Sequence, residues 1–206
     1  MMSASATIAT ANRASVSEQS EEQKMVKKVA VSSFLGNFIE WFDYASYSYF
    51  ATTIALVFFP SDNHTVAMLQ TFGVFALSFV LRPIGALFWG NLGDKKGRKD
   101  ALAISIMFMS GASFLIGCLP SYAAIGIFAP VLLLLLRMVQ GFSASGEYAG
   151  AATFLGEYAP TKKRGIYCSL IPASTAIGLL AGSTLATVMT ASLSSDALTS
   201  WGWRIP

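Results

Sequence analysis

Two carboxylates, Glu40 and Asp43, lie three residues apart inside the first long apolar stretch of the sequence. Because 3.6 residues make one helical turn, they share a helix stripe with Tyr44 and Tyr47. Carboxylates in an apolar setting can take up and release a proton, and losing their charge would change the relative stability of two conformations. Alternatively, both could remain ionised as partners of buried arginines, in a network that only holds helices together. The residues leave both interpretations open.

Two arginines, Arg82 and Arg137, also lie within apolar runs. A charge at the centre of a bilayer costs roughly 3 kcal/mol on insertion scales, so such residues usually face the protein interior or a wet cavity. Gln140 and Glu147 share one helix face in the run that contains Arg137. Arg137 could bind a carboxylate ligand or organise a proton site, or it could be a fixed strut against the backbone and Glu147. We expect a mixed role.

Long apolar runs must position these charges. The 206 residues are 54% hydrophobic and 12% charged, whereas soluble domains carry roughly 25% charged residues. A bilayer core of about 30 Å needs about 20 apolar helical residues. The sequence supplies such runs at residues 30–59, 66–91, 101–119, 126–157 and 166–191. It therefore predicts an all-α membrane protein with about five transmembrane helices, surrounded by the lipid bilayer.

Basic residues are grouped at the ends of these runs. Most of the 14 Lys and Arg lie within residues 13–28, 95–99 and 162–164. An excess of Lys and Arg marks cytoplasmic loops, so we expect the N-terminus to be cytoplasmic. The same grouping accounts for the net charge of +3 without a nucleic-acid partner. Residues 1–28, which begin with a Ser-, Ala- and Glu-rich stretch, predict a disordered cytoplasmic tail before a membrane domain at 29–206.

Features of an enzyme are missing from the sequence. It has no pairing of a nucleophile with a base, and the segment Gly93–Gly97 lacks the spacing of a phosphate-binding loop. His64 is the single histidine and has no cysteine beside it, so a solvated loop residue is a better interpretation than a metal ligand. We expect no enzymatic activity, no cofactor and no metal.

Gly178 and Gly182 form a small-residue step in the fifth run. Small residues at this spacing let two helix backbones approach closely. The partner could be a second copy of the chain or another helix of the same bundle. The second alternative is favoured.

Two motifs give a family resemblance. The stretch Gly90-Asn-Leu-Gly-Asp94-Lys-Lys-Gly97-Arg98-Lys99 resembles the signature loop of the major facilitator superfamily, and Arg137-Met-Val-Gln140-Gly141 resembles its arginine motif. A narrower pattern is similar to the metabolite:proton symporter family, and within it to the proline/betaine branch. Its main elements are Gly36-Asn-Phe-Ile-Glu40-Trp-Phe-Asp43-Tyr, Leu81-Arg82-Pro83, Gln140-Gly-Phe-Ser and Gly202-Trp-Arg-Ile-Pro206.

The resemblance implies a bundle of twelve helices in two halves, of which this chain would supply the N-terminal half. Solute and proton sites would lie between the halves while access alternates. It also implies a bacterial inner membrane location and proton-coupled symport of a small polar metabolite, with proline or glycine betaine as the best guess. Dicarboxylates, citrate and shikimate are alternatives. Carried over by position, the residues expected to bind and couple are Glu40, Asp43, Arg82, Arg137 and Glu147.

The signature loop implies a second role. In the family it pins the two halves together on the cytoplasmic side, so Gly90, Asp94, Gly97, Arg98 and Lys99 would control conformation rather than bind solute. A purely basic topology signal would not explain the glycines and the aspartate at this spacing.

Pro206 falls where the resemblance predicts the sixth helix to begin. We therefore expect a C-terminal half to complete the site. The chain could be a fragment of a longer product, a truncated gene product or half of a split transporter. A membrane fragment that does not transport is the competing function.

Overall fold

The computed structural model describes the backbone of residues 2–206 and, except at residues 2–20, 22, 147 and 149, their side chains. The described backbone is helical and contains no strand. Its ten α-helices are α1 (Met2–Tyr49), α2 (Ala51–Phe58), α3 (His64–Val80), α4 (Arg82–Lys96), α5 (Arg98–Gly117), α6 (Tyr122–Ile125), α7 (Phe128–Ala144), α8 (Glu147–Tyr158), α9 (Arg164–Ser192) and α10 (Ser195–Ser200). Short 3-10 turns precede α9 and follow α10.

Three helical stretches are long and apolar enough to cross a membrane by length and composition: His64–Lys96, Arg98–Gly117 and Thr161–Ser192. They coincide with the second, third and fifth predicted spans. The other two predicted spans are each divided, at Phe50 and at Ser145–Gly146, and α7 alone is an apolar helix of 17 residues. The all-α membrane class is confirmed, whereas the count of five spans stays a prediction.

Local chemistry explains where several helices begin and end. Asn63 precedes α3 and its side chain accepts a hydrogen bond from the Thr65 amide at 2.9 Å, as an N-cap does. Pro83 lies in the first turn of α4, where its missing N–H costs nothing. Gly97 joins α4 to α5 with a φ of +97°, a backbone conformation that favours glycine. The positive φ therefore explains why the signature loop has a glycine at position 97.

Part of the predicted tail is packed. The backbone of helix α1 begins at Met2 and runs through the segment 1–28, and Val26 is buried with Val29 and Ala30 against Leu155 of α8 and Ile171 of α9. Helix packing therefore begins before residue 28, because the apolar pair Met25 and Val26 interrupts the polar composition there. The side chains of residues 2–20 lie outside the described part, and the disordered tail stays a prediction for them.

Helices α1 and α9 pack closely against each other. The buried Asn37 amide group donates to the Ile171 carbonyl at 3.0 Å and to the Ser174 and Thr175 hydroxyls, each at 2.8 Å. Gly178 and Gly182 of α9 face the backbone of α1. A Cβ atom at Gly178 would lie 2.7 Å from the Phe38 carbonyl oxygen. The small-residue step therefore serves packing within one chain.

We expect Gly178→Ala to destabilise the protein by about 1–3 kcal/mol, the usual cost of overpacking. The added methyl group meets the backbone of α1, which cannot rotate away as a flexible side chain could. Gly111→Ala is the matched control, because a Cβ there meets nothing within 4 Å and alanine raises helix propensity by up to about 1 kcal/mol. Thermal unfolding in detergent compares them. Equal stability of the two variants would contradict the packing argument.

Two apolar clusters lie at different levels of the bundle. One contains Val26, Leu102, Leu155 and Ile171, and the other contains Phe58 with other residues of α2, α7 and α9. On α1 the residues between the two levels include the buried Asn37, Glu40 and Ser46. A polar layer thus crosses the middle of the bundle, between two apolar ones.

Candidate functional site

Arg82 and Glu40 form the first ion pair of the polar layer. The Arg82 guanidinium donates to the Glu40 carboxylate and to the Tyr44 hydroxyl. Only 4% of the Glu40 side chain is exposed, compared with 28% of Arg82. The guanidinium also lies 4.7 Å from the centre of the Phe79 ring, a distance at which a cation is attracted to an aromatic face. This pair joins α1 to the start of α4.

Arg137 and Asp43 form the second ion pair. The Arg137 guanidinium donates to Asp43 and, at 3.0 Å, to the Gln140 side-chain oxygen. The Gln140 amide in turn donates to the Ser113 hydroxyl at 2.7 Å. Arg137 is 4% exposed and Asp43 is 20% exposed. These contacts connect α1, α7 and α5. The Asp43 carboxylate is more accessible than the Arg137 guanidinium.

Tyr47 packs against the arginine of the second ion pair. Its ring centre lies 4.0 Å from the Arg137 guanidinium carbon, and its hydroxyl donates to the Thr71 carbonyl at 2.9 Å. The ring is therefore fixed between α1 and α3. Tyr44 and Tyr47, predicted on one stripe, each lie beside a different arginine.

A cavity of about 420 Å³ opens beside the second pair. It lies between α1, α2, α5, α7 and residues 203–206, and Asp43 and Arg137 are part of its wall. Aromatic residues, among them Tyr47, Phe50 and Phe58, form much of the remaining wall. We call it the central cavity. The first pair lines a different and more open cleft of about 580 Å³.

These positions bear on the two interpretations of the acids. Each carboxylate has one arginine partner, which is the arrangement that the structural alternative required. Asp43 also borders a cavity large enough for a small metabolite, which the coupling alternative requires. The side chain of Glu147 lies outside the described residues, so its contact with Arg137 stays a prediction.

The signature loop lies away from the ion pairs. Gly90, Asp94, Gly97, Arg98 and Lys99 are exposed, and the first two, together with Arg98, border a cavity of about 230 Å³. Arg98 lies 3.6 Å from the Glu157 carboxylate. The loop is thereby linked to the end of α8.

Sequence reasoning missed several polar residues of the layer. Asn37 binds α9, Ser113 accepts a hydrogen bond from Gln140, and Trp203 borders the central cavity. A search for amides and hydroxyls within apolar runs would have found the first two. Trp203 belongs to the motif Gly202-Trp-Arg-Ile-Pro206, for which the sequence indicated no role. Among the described residues no group of His, Cys, Asp or Glu could hold a metal ion.

The helices are long and apolar, and large apolar residues such as Leu87, Phe114 and Leu180 are exposed on the outer surface. Buried ion pairs lie inside, beside a cavity. These features define an integral membrane protein with a polar interior site. Residues 28–206 match the family described as sugar (and other) transporter. The chain is 43% identical over 181 residues to the proline/betaine transporter of Salmonella typhimurium, covering 88% of this chain and 36% of that protein.

Two further relatives give the same coverage of 88% and 36%, each at 42% identity over 181 residues. They are the glycine betaine/proline/ectoine/pipecolic acid transporter of Dickeya dadantii and the proline/betaine transporter of Escherichia coli K12. No solved structure matches. The chain therefore belongs to the sugar (and other) transporter family of the major facilitator superfamily, which confirms the predicted membership.

The family and these relatives are transporters rather than enzymes. The chain spans about a third of the length of the curated relatives it matches, 36% in each of these three.

Proposed function

We propose that this chain contributes to proton-coupled uptake of a small zwitterionic metabolite, with proline and glycine betaine as the best candidates. The observation that carries the proposal is the Asp43–Arg137 pair in the wall of the central cavity. The names of relatives at 42–43% identity support the choice of solute.

The cavity chemistry suits a zwitterion. A planar guanidinium such as that of Arg137 matches the two oxygens of a carboxylate. The exposed Phe114 ring lines the same cavity, and aromatic ring faces attract ammonium groups, including quaternary ones. A solute with a carboxylate and an ammonium group could therefore contact Arg137 and the aromatic wall of the cavity.

Asp43 would supply the coupling. Its carboxylate competes with the carboxylate of the solute for Arg137, because both need the same donors. A proton on Asp43 removes that competitor, so proton and solute would favour each other's binding. Reciprocity of this kind is what any coupled site requires. Glu40 is less exposed than Asp43. The Glu40–Arg82 pair would therefore have a structural role.

The signature loop would control conformation. Arg98 and Glu157 already join two helix ends at 3.6 Å, and further contacts to the second half would hold the cytoplasmic side closed. The grouped basic residues support an N-terminus in the cytoplasm, and the bacterial relatives support a location in the bacterial inner membrane.

Uptake by proteoliposomes tests the proposal. With an inward proton gradient, radiolabelled proline and glycine betaine should accumulate inside, and a protonophore should reduce accumulation to the level without a gradient. Protein-free liposomes are the control. Accumulation of citrate or shikimate with no accumulation of proline or betaine would contradict the solute class, and accumulation unaffected by the protonophore would contradict proton coupling.

A further inference from the structure

Hydrogen bonds connect Arg137, Gln140 and Ser113 in a fixed direction. The Arg137 guanidinium donates to the Gln140 side-chain oxygen at 3.0 Å, and the Gln140 amide group donates to the Ser113 hydroxyl oxygen at 2.7 Å. Because a guanidinium has donors only, the amide oxygen must face Arg137 and the amide nitrogen must face Ser113. The Ser113 oxygen is thus an acceptor in this series, and its own O–H must point to a different group.

The central cavity is where the Ser113 O–H can meet an acceptor. Ser113 is partly exposed, and it lines the cavity wall together with Arg137. No described residue accepts a hydrogen bond from the Ser113 hydroxyl, whereas Ser105 on the same helix donates to the Leu102 carbonyl at 2.9 Å. A hydroxyl that already accepts a hydrogen bond is polarised and donates more strongly. Ser113 therefore offers a strong donor to a ligand in the cavity.

The Gln140 amide shows what kind of group fits between Arg137 and Ser113. It is planar, it bridges these two residues, and it borders a separate small cavity of about 10 Å³. A carboxylate is also planar and has two oxygens that accept hydrogen bonds. From the central cavity, a carboxylate would bridge the same two residues, with one oxygen toward Arg137 and the other toward Ser113. An ammonium group, which only donates, would not.

We propose that Ser113 is a second binding residue for the carboxylate of the solute, beside Arg137 in the central cavity. The inference rests on the proposed function for the identity of the solute. When a proton on Asp43 releases Arg137, the solute carboxylate accepts from Arg137 with one oxygen and from Ser113 with the other. Two donors from different helices then orient the carboxylate, and a solute without this group loses both contacts.

Cys118 provides a direct readout, because this exposed thiol borders the same cavity. In a Cys168→Ser background, the rate at which N-ethylmaleimide alkylates Cys118 is measured against glycine betaine concentration, and betaine should protect Cys118. In Ser113→Ala the concentration for half-protection should rise about tenfold, as expected when one hydrogen bond to a charged group is lost.

Two control variants show whether the hydroxyl itself is responsible. Ser113→Thr retains a hydroxyl and should keep the half-protecting concentration of the parent protein. Ser105→Ala makes the matched change on the same helix, at a hydroxyl bonded to its own helix backbone, and should leave protection unchanged. A loss that Ser105→Ala shares, or that Ser113→Thr does not repair, would overturn the proposal.

A double-mutant cycle separates contact with the solute from an effect through Gln140. Gln140→Met removes the amide group but keeps the length of the side chain. In that background Ser113→Ala should still raise the half-protecting concentration about tenfold, because independent contributions add. If the effect of Ser113→Ala disappears there, Ser113 only positions Gln140 and does not bind the solute.

The outcomes also distinguish this residue's role from the proposed function. Betaine uptake by the same preparation, with a half-protecting concentration unchanged in Ser113→Ala, would overturn the role of Ser113 alone. Absence of both uptake and protection would count against the role of Ser113 and the proposed function together.

Discussion

Arg137→Met should lower the free energy of unfolding by about 3–5 kcal/mol, the range for breaking a buried ion pair by removing one partner. The substitution leaves the Asp43 carboxylate without its guanidinium and the Gln140 oxygen without its donor. Chemical unfolding in detergent, followed by tryptophan fluorescence, measures the change. We expect this to be the largest loss of stability from any single substitution considered for this chain.

The double variant Arg137→Met/Asp43→Asn identifies the cause. Removing the unpaired charge should restore most of the lost stability, because replacing both members of a buried pair is often close to neutral. Arg164→Met, at an exposed arginine at the start of α9, should change stability by no more than about 0.5 kcal/mol. A double variant as unstable as Arg137→Met would show that the arginine acts through packing and not through its charge.

Asp43→Asn should abolish accumulation against a gradient while leaving downhill entry of the solute. Asparagine retains the shape of aspartate and an oxygen that Arg137 can reach, but it cannot take up a proton. With one proton per solute, a gradient of one pH unit supplies about 1.4 kcal/mol, or an accumulation ratio of about ten. The variant should reach a ratio of about one, as measured by uptake of radiolabelled betaine into proteoliposomes.

Two comparisons make the Asp43 prediction specific. Asp196→Asn removes an exposed carboxylate outside the polar layer and should retain the accumulation ratio. Glu40→Gln tests the other ion pair. If Glu40→Gln abolishes accumulation and Asp43→Asn does not, the proton site belongs to the Glu40–Arg82 pair instead.

The helices were predictable because their cause is local. Apolar runs of sufficient length predict helices in lipid, and α3–α4, α5 and α9 coincide with them. The breaks at Phe50 and at Ser145–Gly146 were not predicted, since the runs continue through both without proline. The break at Leu81 had a signal in Pro83, which lies two residues further on.

The pairing of the charges was not predictable from spacing. Glu40 and Asp43 share one stripe, and either could have met either arginine. The choice depends on how α1 is rotated against α4 and α7, which is a tertiary property. Close approaches fix how α7 packs against its neighbours α3 and α4: an added Cβ at Gly141 would collide with the backbone of Ser78, and one at Gly146 would lie 2.7 Å from the Trp89 side chain. No pattern in the sequence states which backbone a glycine will meet.

The hydrogen bonds of Asn37 have a consequence for motion. One side-chain amide is tied to three acceptors on α9, and two glycines further along remove the space between the helices. Sliding of α1 along α9 by a single turn would break all three bonds and drive methyl and carbonyl groups together. The two helices therefore form one rigid unit, and any rearrangement of this bundle must take place at the ends of that unit or around it.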